Sequence, residues 1–291
     1  MITIANEWLR AEISPAGAEL KSLKRLEGQH EYLWSADPQY WAKTSPVLFP
    51  IVGALKDDTY HYEGRSYRLP RHGFARDKPF DGKLVSPTEA AFTLTDSEET
   101  RAVYPFAFQL TLRYRLEGHS ITCTYEVRNP SDSQPLLFSI GAHPAFAAPA
   151  REGGPAYSDY FLEFPGDEAL VCHKLEGNLV SAHTETIALD EHRRLPLRHD
   201  LFYADALVLK TLRSKTIILG NTINDRGITF HHEGFSYFGI WAAKDADFVC
   251  LEPWCGIADH VGHRQQLEEK EGIQRLEAGD SWTRSWSVNC F

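Results

Sequence analysis

The residues best suited to chemistry in this 291-residue chain are polar side chains set inside apolar stretches. His143 lies in Phe138-Ser139-Ile140-Gly141-Ala142-His143-Pro144-Ala145-Phe146, the least polar run of the sequence. An imidazole there has to be hydrogen-bonded or to face a cavity. With an ordinary pKa of about 6.5 it can give or take a proton near neutrality, although a core histidine held by a backbone carbonyl fits the same position. Glu252 ends the run Phe248-Val249-Cys250-Leu251 and precedes Pro253-Trp254, so a carboxylate leaves a buried strand beside an indole. Desolvation raises the pKa of such a carboxylate towards the range of a general base, and Trp254 offers a face for the apolar side of a sugar. A solvated strand end is the alternative. His72 sits in Leu69-Pro70-Arg71-His72-Gly73-Phe74-Ala75-Arg76, where Gly73 permits close backbone approach, Phe74 offers a ring and the arginines supply charge. That pattern suits a binding loop or an ordinary hairpin end. Asp205, between Tyr203-Ala204 and Ala206-Leu207-Val208, is a further candidate that a solvated aspartate would also explain.

Several other chemistries lack their usual support. The sequence has no P-loop, no G-x-G-x-x-G after a strand, no H-E-x-x-H and no G-x-S-x-G. Cys250 and Cys255 have no matching second pair, and Asp259, His260 and His263 have only a loose spacing, so no complete metal ligand set can be assembled. No metal and no cofactor are expected. The net charge of -10 and pI near 5.7 argue against nucleic acid as a partner. Five dispersed cysteines form no disulfide framework and read as reduced thiols of a cytoplasmic protein. The N-terminus does not resemble a secretory signal, and the apolar segment from Leu136 to Ala150 is shorter than the ~20 residues of a membrane span. A soluble chain is therefore expected, without a membrane partner.

The elements that must position these residues are strands. Alternation of period two runs through Phe108, Leu110, Leu112, Tyr114 and Leu116, stops at Glu117-Gly118-His119-Ser120, and resumes as Ile121, Cys123, Tyr125 and Val127, which reads as a hairpin. Thr59 to Leu69 is a second hairpin, with tyrosines about a Glu63-Gly64 turn. Leu9, Ala11 and Ile13 open an N-terminal meander. Strands are predicted over 206–209, 216–219, 227–230, 236–241, 248–252 and 282–288, and short helical pieces only near 38–41 and 259–267. No linker or repeat divides the chain, so residues 1–291 read as a single all-β domain, a large antiparallel sandwich or barrel.

Taken together, Pro46-Val47-Leu48-Phe49-Pro50, Leu69 to Arg76, Gly141-Ala142-His143-Pro144-Ala145-Phe146 and Leu251-Glu252-Pro253-Trp254 resemble the ordered signatures of the aldose 1-epimerase, or galactose mutarotase, family, in its shorter bacterial branch. The resemblance implies a galactose mutarotase-like supersandwich, a β-sandwich of unusually large sheets with an open sugar cleft and no redox or nucleotide cofactor. It implies an isomerase that interconverts the α and β anomers of an aldose. Glu252 matches the general base, His143 the acid that protonates the ring oxygen, His72 a second histidine steadying charge there, and Asp205 an aspartate on sugar hydroxyls. Phe74 and Trp254 match the stacking surface. Where many relatives carry an arginine that contacts sugar oxygens or phosphate, this chain has Ala54; Arg76, Arg71 or Lys56 are the available substitutes. A hexose 6-phosphate 1-epimerase and a non-catalytic carbohydrate-binding protein on the same scaffold are the alternatives. The expected partner is a small sugar, free or phosphorylated, and the protein a monomer or homodimer.

Overall fold

The computed structural model describes residues 1–149 and 153–291. Ala150, the end of the apolar run noted above, lies outside them. Two broad antiparallel sheets dominate. One has nine strands in the order Arg194–Pro196, Tyr160–Glu163, Thr216–Asn221, Ile228–His231, Ser281–Cys290, Ser120–Arg128, Gln109–Glu117, Glu89–Thr95 and Asp81–Ser86. The second runs from Leu179–Ala188 through Ala169–Glu176, Leu207–Leu209, Tyr237–Trp241, Phe248–Cys255 and Ile140–Ala142 to Val47–Leu48. In this sheet Ala145–Ala147 also pairs with Phe248–Cys255. A four-stranded N-terminal sheet opens the chain with Ile2–Ala5, Leu9–Ser14, Glu19–Arg25 and His30–Glu31.

The pairing follows the hydrophobic alternation. Gln109–Glu117 and Ser120–Arg128 meet with Leu116 opposite Ile121 and Leu112 opposite Tyr125, and their alternate side chains are buried. Aromatic side chains bridge the two main sheets within a core that is mostly aliphatic. Phe230 stacks on Trp286 within the nine-stranded sheet and packs edge-on against Phe238 and Phe146 of the other. Trp286 Nε1 donates to Tyr125 Oη at 3.0 Å, and Tyr125 Oη in turn reaches the Gly141 carbonyl across the core.

Three expectations need correction. The strand containing Glu252 does not end there but continues through Pro253 to Cys255. Leu251 N–H donates to Pro144 O along one edge. Two residues on, Pro253 presents that edge without an N–H, at the point where the neighbouring strand is interrupted between Ile140–Ala142 and Ala145–Ala147. A proline costs no ladder bond at such a gap. The expected helical pieces are turns: Tyr40 and Trp41 N–H groups close on Asp37 O, and 259–267 is broken by a positive φ at Gln265, beside the short 3-10 turn Leu267–Glu269. Among the described residues the one α-helix is Glu98–Val103, capped reciprocally by Ser97 and Thr100. Among the described residues no helix is long and apolar enough to cross a membrane.

A buried ion pair anchors the segment after Phe248–Cys255. Lys270 Nζ donates to Asp259 Oδ1 at 2.8 Å and to Ile257 O at 2.6 Å, while Asp259 Oδ2 accepts from Lys56 N–H at 2.9 Å. Removing one partner of such a pair strands the other charge in the interior, at a cost of about 3–5 kcal/mol. Lys270→Met should therefore lower the urea midpoint markedly; an unchanged midpoint would show that the segment is held by other contacts.

Candidate active site

Period two along Phe248–Cys255 sends Leu251 into the core between the sheets and Glu252 and Trp254 to the opposite face. On that face lies a cavity of about 390 Å³. The interruption of the neighbouring strand releases His143 from the ladder next to Glu252. His143 Nε2 lies 3.2 Å from Glu252 Oε2, with both residues buried, at 8% and 2% exposure. Trp41 stacks on the His143 ring at 4.9 Å, and Trp241 meets it edge-on at 5.6 Å. The imidazole is thus oriented by two indoles and a carboxylate.

Burial pushes the Glu252 carboxyl well above its usual range; Arg71 opposes the shift and Asp205 adds to it. Burial likewise pushes His143 well down, with Arg71 and Arg76 reinforcing the effect. Each charge is disfavoured singly, so the close contact favours a single proton held jointly, and the two groups titrate as a pair.

His72 is placed by a close backbone approach. Its N–H donates to Gly53 O at 2.9 Å, and Gly53 N–H donates back to His72 Nδ1 at 3.1 Å. Nδ1 is therefore an acceptor, and the neutral ring carries its proton on Nε2. Gly73 follows with φ +69°, where any Cβ would stand 2.4 Å from Phe49 O. His72 meets the His143 ring edge-on at 5.9 Å. Its pKa is driven well below the usual value by burial first and then by the charge of His143, Arg71 and Arg76.

Asp205 also lines the cavity, from a residue with φ 144°, and its Oδ1 accepts from Ala206 N–H at 2.7 Å and lies 3.7 Å from Arg71 Nη2. Arg71 Nη1 donates to Asn178 Oδ1 at 2.9 Å, and Arg76 Nη2 to Arg71 O at 3.0 Å. Trp254 forms part of the wall. Its indole passes so close to the neighbouring strands that a Cβ at Gly141 or Gly239 would come within 2.5 or 2.3 Å of it. Those glycines are the slot that lets the ring lie along the sheet.

Six of the seven sequence candidates, His143, Glu252, His72, Asp205, Arg76 and Trp254, border the same cavity. Phe74 does not. Its ring is 8% exposed and packs edge-on against Phe49 and Tyr104, because Phe74 N–H is tied to Phe49 O on the core side of the loop. Arg71 and Arg76 reach the cavity, whereas Lys56 Nζ turns to His263 O, and the buried Ala54 passes its carbonyl to Asp259 N–H. Sequence reasoning missed Trp41, Trp241 and Asn178 as wall residues. Trp41 follows a proline-containing turn, where an aromatic side chain is a usable signal. Asn178 gave none, since it reaches the site from the tip of the hairpin between Ala169–Glu176 and Leu179–Ala188.

A histidine whose folded pKa is lowered costs stability as the pH falls below its unfolded value of about 6.5, because the unfolded chain takes up a proton that the folded one refuses. His72 is such a group. His72→Asn should therefore gain on the wild type in relative stability between about pH 7 and pH 5. Parallel stability-pH curves from denaturant melts would contradict the buried neutral ring.

Residues 1–288 match the family model of aldose 1-epimerase. The chromosomal protein LacX of Lactococcus lactis subsp. lactis is 32% identical, over 99% of this chain and 98% of LacX. The crystal structure of a galactose mutarotase related enzyme from Lactobacillus acidophilus superposes with a TM-score of 0.94 at 32% identity, covering 100% of this chain and 97% of that one. A galactose mutarotase-like protein from Lactobacillus casei gives 0.89 at 30% identity, over 100% of both chains. With the fold and these full-length matches in agreement, the chain belongs to the aldose 1-epimerase family and is an isomerase acting on carbohydrates.

Proposed function

We propose that the protein interconverts the α and β anomers of an aldose by acid–base ring opening at Glu252 and His143. The observation that carries this reading is the 3.2 Å approach of His143 Nε2 to Glu252 Oε2 at the wall of a sugar-sized cavity. Opening a neutral hemiacetal removes a proton from the anomeric hydroxyl and delivers one to the ring oxygen. A pair holding one proton can do both. With the proton on His143, the Glu252 carboxylate takes the hydroxyl proton and His143 gives its own to O5 as the C1–O5 bond breaks. The pair again holds one proton, the one taken from the hydroxyl, now on Glu252. Rotation about C1–C2 presents the other face of the aldehyde, and the reverse transfers close the ring as the opposite anomer.

His72 Nε2–H supports this step as a neutral donor to the ring oxygen or a neighbouring hydroxyl, where negative charge develops. Asp205 and Asn178 serve as hydroxyl partners, and Trp254 and Trp41 give apolar walls. A second reading, a hexose 6-phosphate epimerase, is favoured by the placement of Arg71 and Arg76 on the lining. Each of these cations already has a carboxylate nearby, Asp205 3.7 Å from Arg71 and Asp77 3.6 Å from Arg76.

Anomer exchange measured by NMR saturation transfer on glucose, galactose and their 6-phosphates tests both readings. Glu252→Gln should reduce exchange by about 10²–10⁴-fold, the scale of a lost general base, while sugar binding persists. Full activity in this variant would overturn the assignment of the base. Acceleration confined to the phosphates, and lost in Arg76→Ala, would select the second reading.

A further inference from the structure

Beneath the acid–base pair lies a thiol that the proposed reaction does not use. Cys250 stands two residues before Glu252 on the same strand, so both side chains leave on one face. Cys250 Sγ, a Glu252 carboxylate oxygen and a His143 ring nitrogen lie within 4.8 Å of one another. All three residues are buried, and His143 Nδ1 has no hydrogen-bond partner. We propose that Cys250, Glu252 and His143 form an inhibitory site for a zinc-class divalent cation.

The chemistry of the donors supports this choice. Thiolate, imidazole and carboxylate form a tetrahedral zinc set with Zn–S about 2.3 Å and Zn–N or Zn–O about 2.0–2.2 Å. The present spacing needs only a small side-chain contraction to close on one ion. Softness selects against calcium and magnesium, which call for oxygen ligands in greater number. The charge also balances. One thiolate and one carboxylate neutralise a divalent ion beside a neutral imidazole, which is what a water-poor sheet face requires. Binding releases the thiol proton and any proton held by the pair to solvent, with no change of oxidation state. Glu252 and His143 border the cavity, and Cys250 lies buried beside them. An ion so placed engages the Glu252 carboxylate that must take the hydroxyl proton, so it blocks ring opening.

Cobalt(II) is the direct probe, because a cobalt–thiolate bond gives a charge-transfer absorption in the near ultraviolet that needs no sugar and no turnover. The wild-type protein should develop this band on titration, zinc should displace it, and Cys250→Ala should fail to develop it. Cys250→Ser serves the same purpose should the alanine variant fold poorly. Where anomer exchange is observed, zinc inhibition should weaken by at least about 10–100-fold in the Cys250 variants relative to their own uninhibited rates, the range seen for losing even an outer-shell partner. No band in the wild type, or an equal band in the Cys250 variants, would overturn the site. Either spectroscopic result stands whether or not the protein proves to be a mutarotase.

Discussion

The structure depends on keeping a glutamate and a histidine in contact away from water. In bulk solvent a carboxylate and an imidazole 3.2 Å apart would gain little, and each would titrate near its ordinary value. On the buried face of the sheet, isolated charge on either is expensive, and the cheaper states are those in which one proton serves both. That constraint turns two common residues into a device with two arrangements of one proton. Burial favours the uncharged arrangement; the Arg71 guanidinium favours a Glu252 carboxylate but disfavours a charged His143.

Much of the surrounding architecture maintains this contact. The break between Ile140–Ala142 and Ala145–Ala147 frees His143 from strand geometry beside Glu252, and Pro253 occupies the edge position where no backbone donor is wanted. Trp41 and Trp241 fix the plane of the imidazole, and the Gly53–His72 pair of hydrogen bonds fixes the tautomer of the second histidine. Further out, the buried Asp259–Lys270 pair holds the segment that carries Ile257 and Ala258 into the cavity wall. The buried polar interactions of this region are each sensitive to loss of a partner.

The sheets were legible because alternation of period two is a local signal. Leu110 to Leu116 and Ile121 to Val127 pair in the register their apolar positions require, about the turn that Gly118 permits. Glu252, His143, His72 and Arg76 were legible through their unusual settings and the ordered motifs around them. Trp41, Trp241 and Asn178 were not, since each enters the site through tertiary approach of a turn, a strand and a hairpin tip. Phe74 shows the converse. Its position in a motif suggested a ring facing a ligand, but one backbone bond to Phe49 turns the residue into the core. The Cys250–Glu252–His143 grouping also escaped the sequence, because two ligands lie two apart on one strand while the third stands more than a hundred residues earlier.

The proton of the Glu252–His143 pair is best followed by infrared difference spectroscopy, wild type minus Glu252→Gln, as a function of pH without sugar. The protonated carboxyl C=O band should be present at neutral pH and give way to carboxylate bands only on the alkaline side. A Glu252 that shows carboxylate bands alone at neutral pH, beside an imidazole carrying no added proton, would contradict a proton shared by the pair.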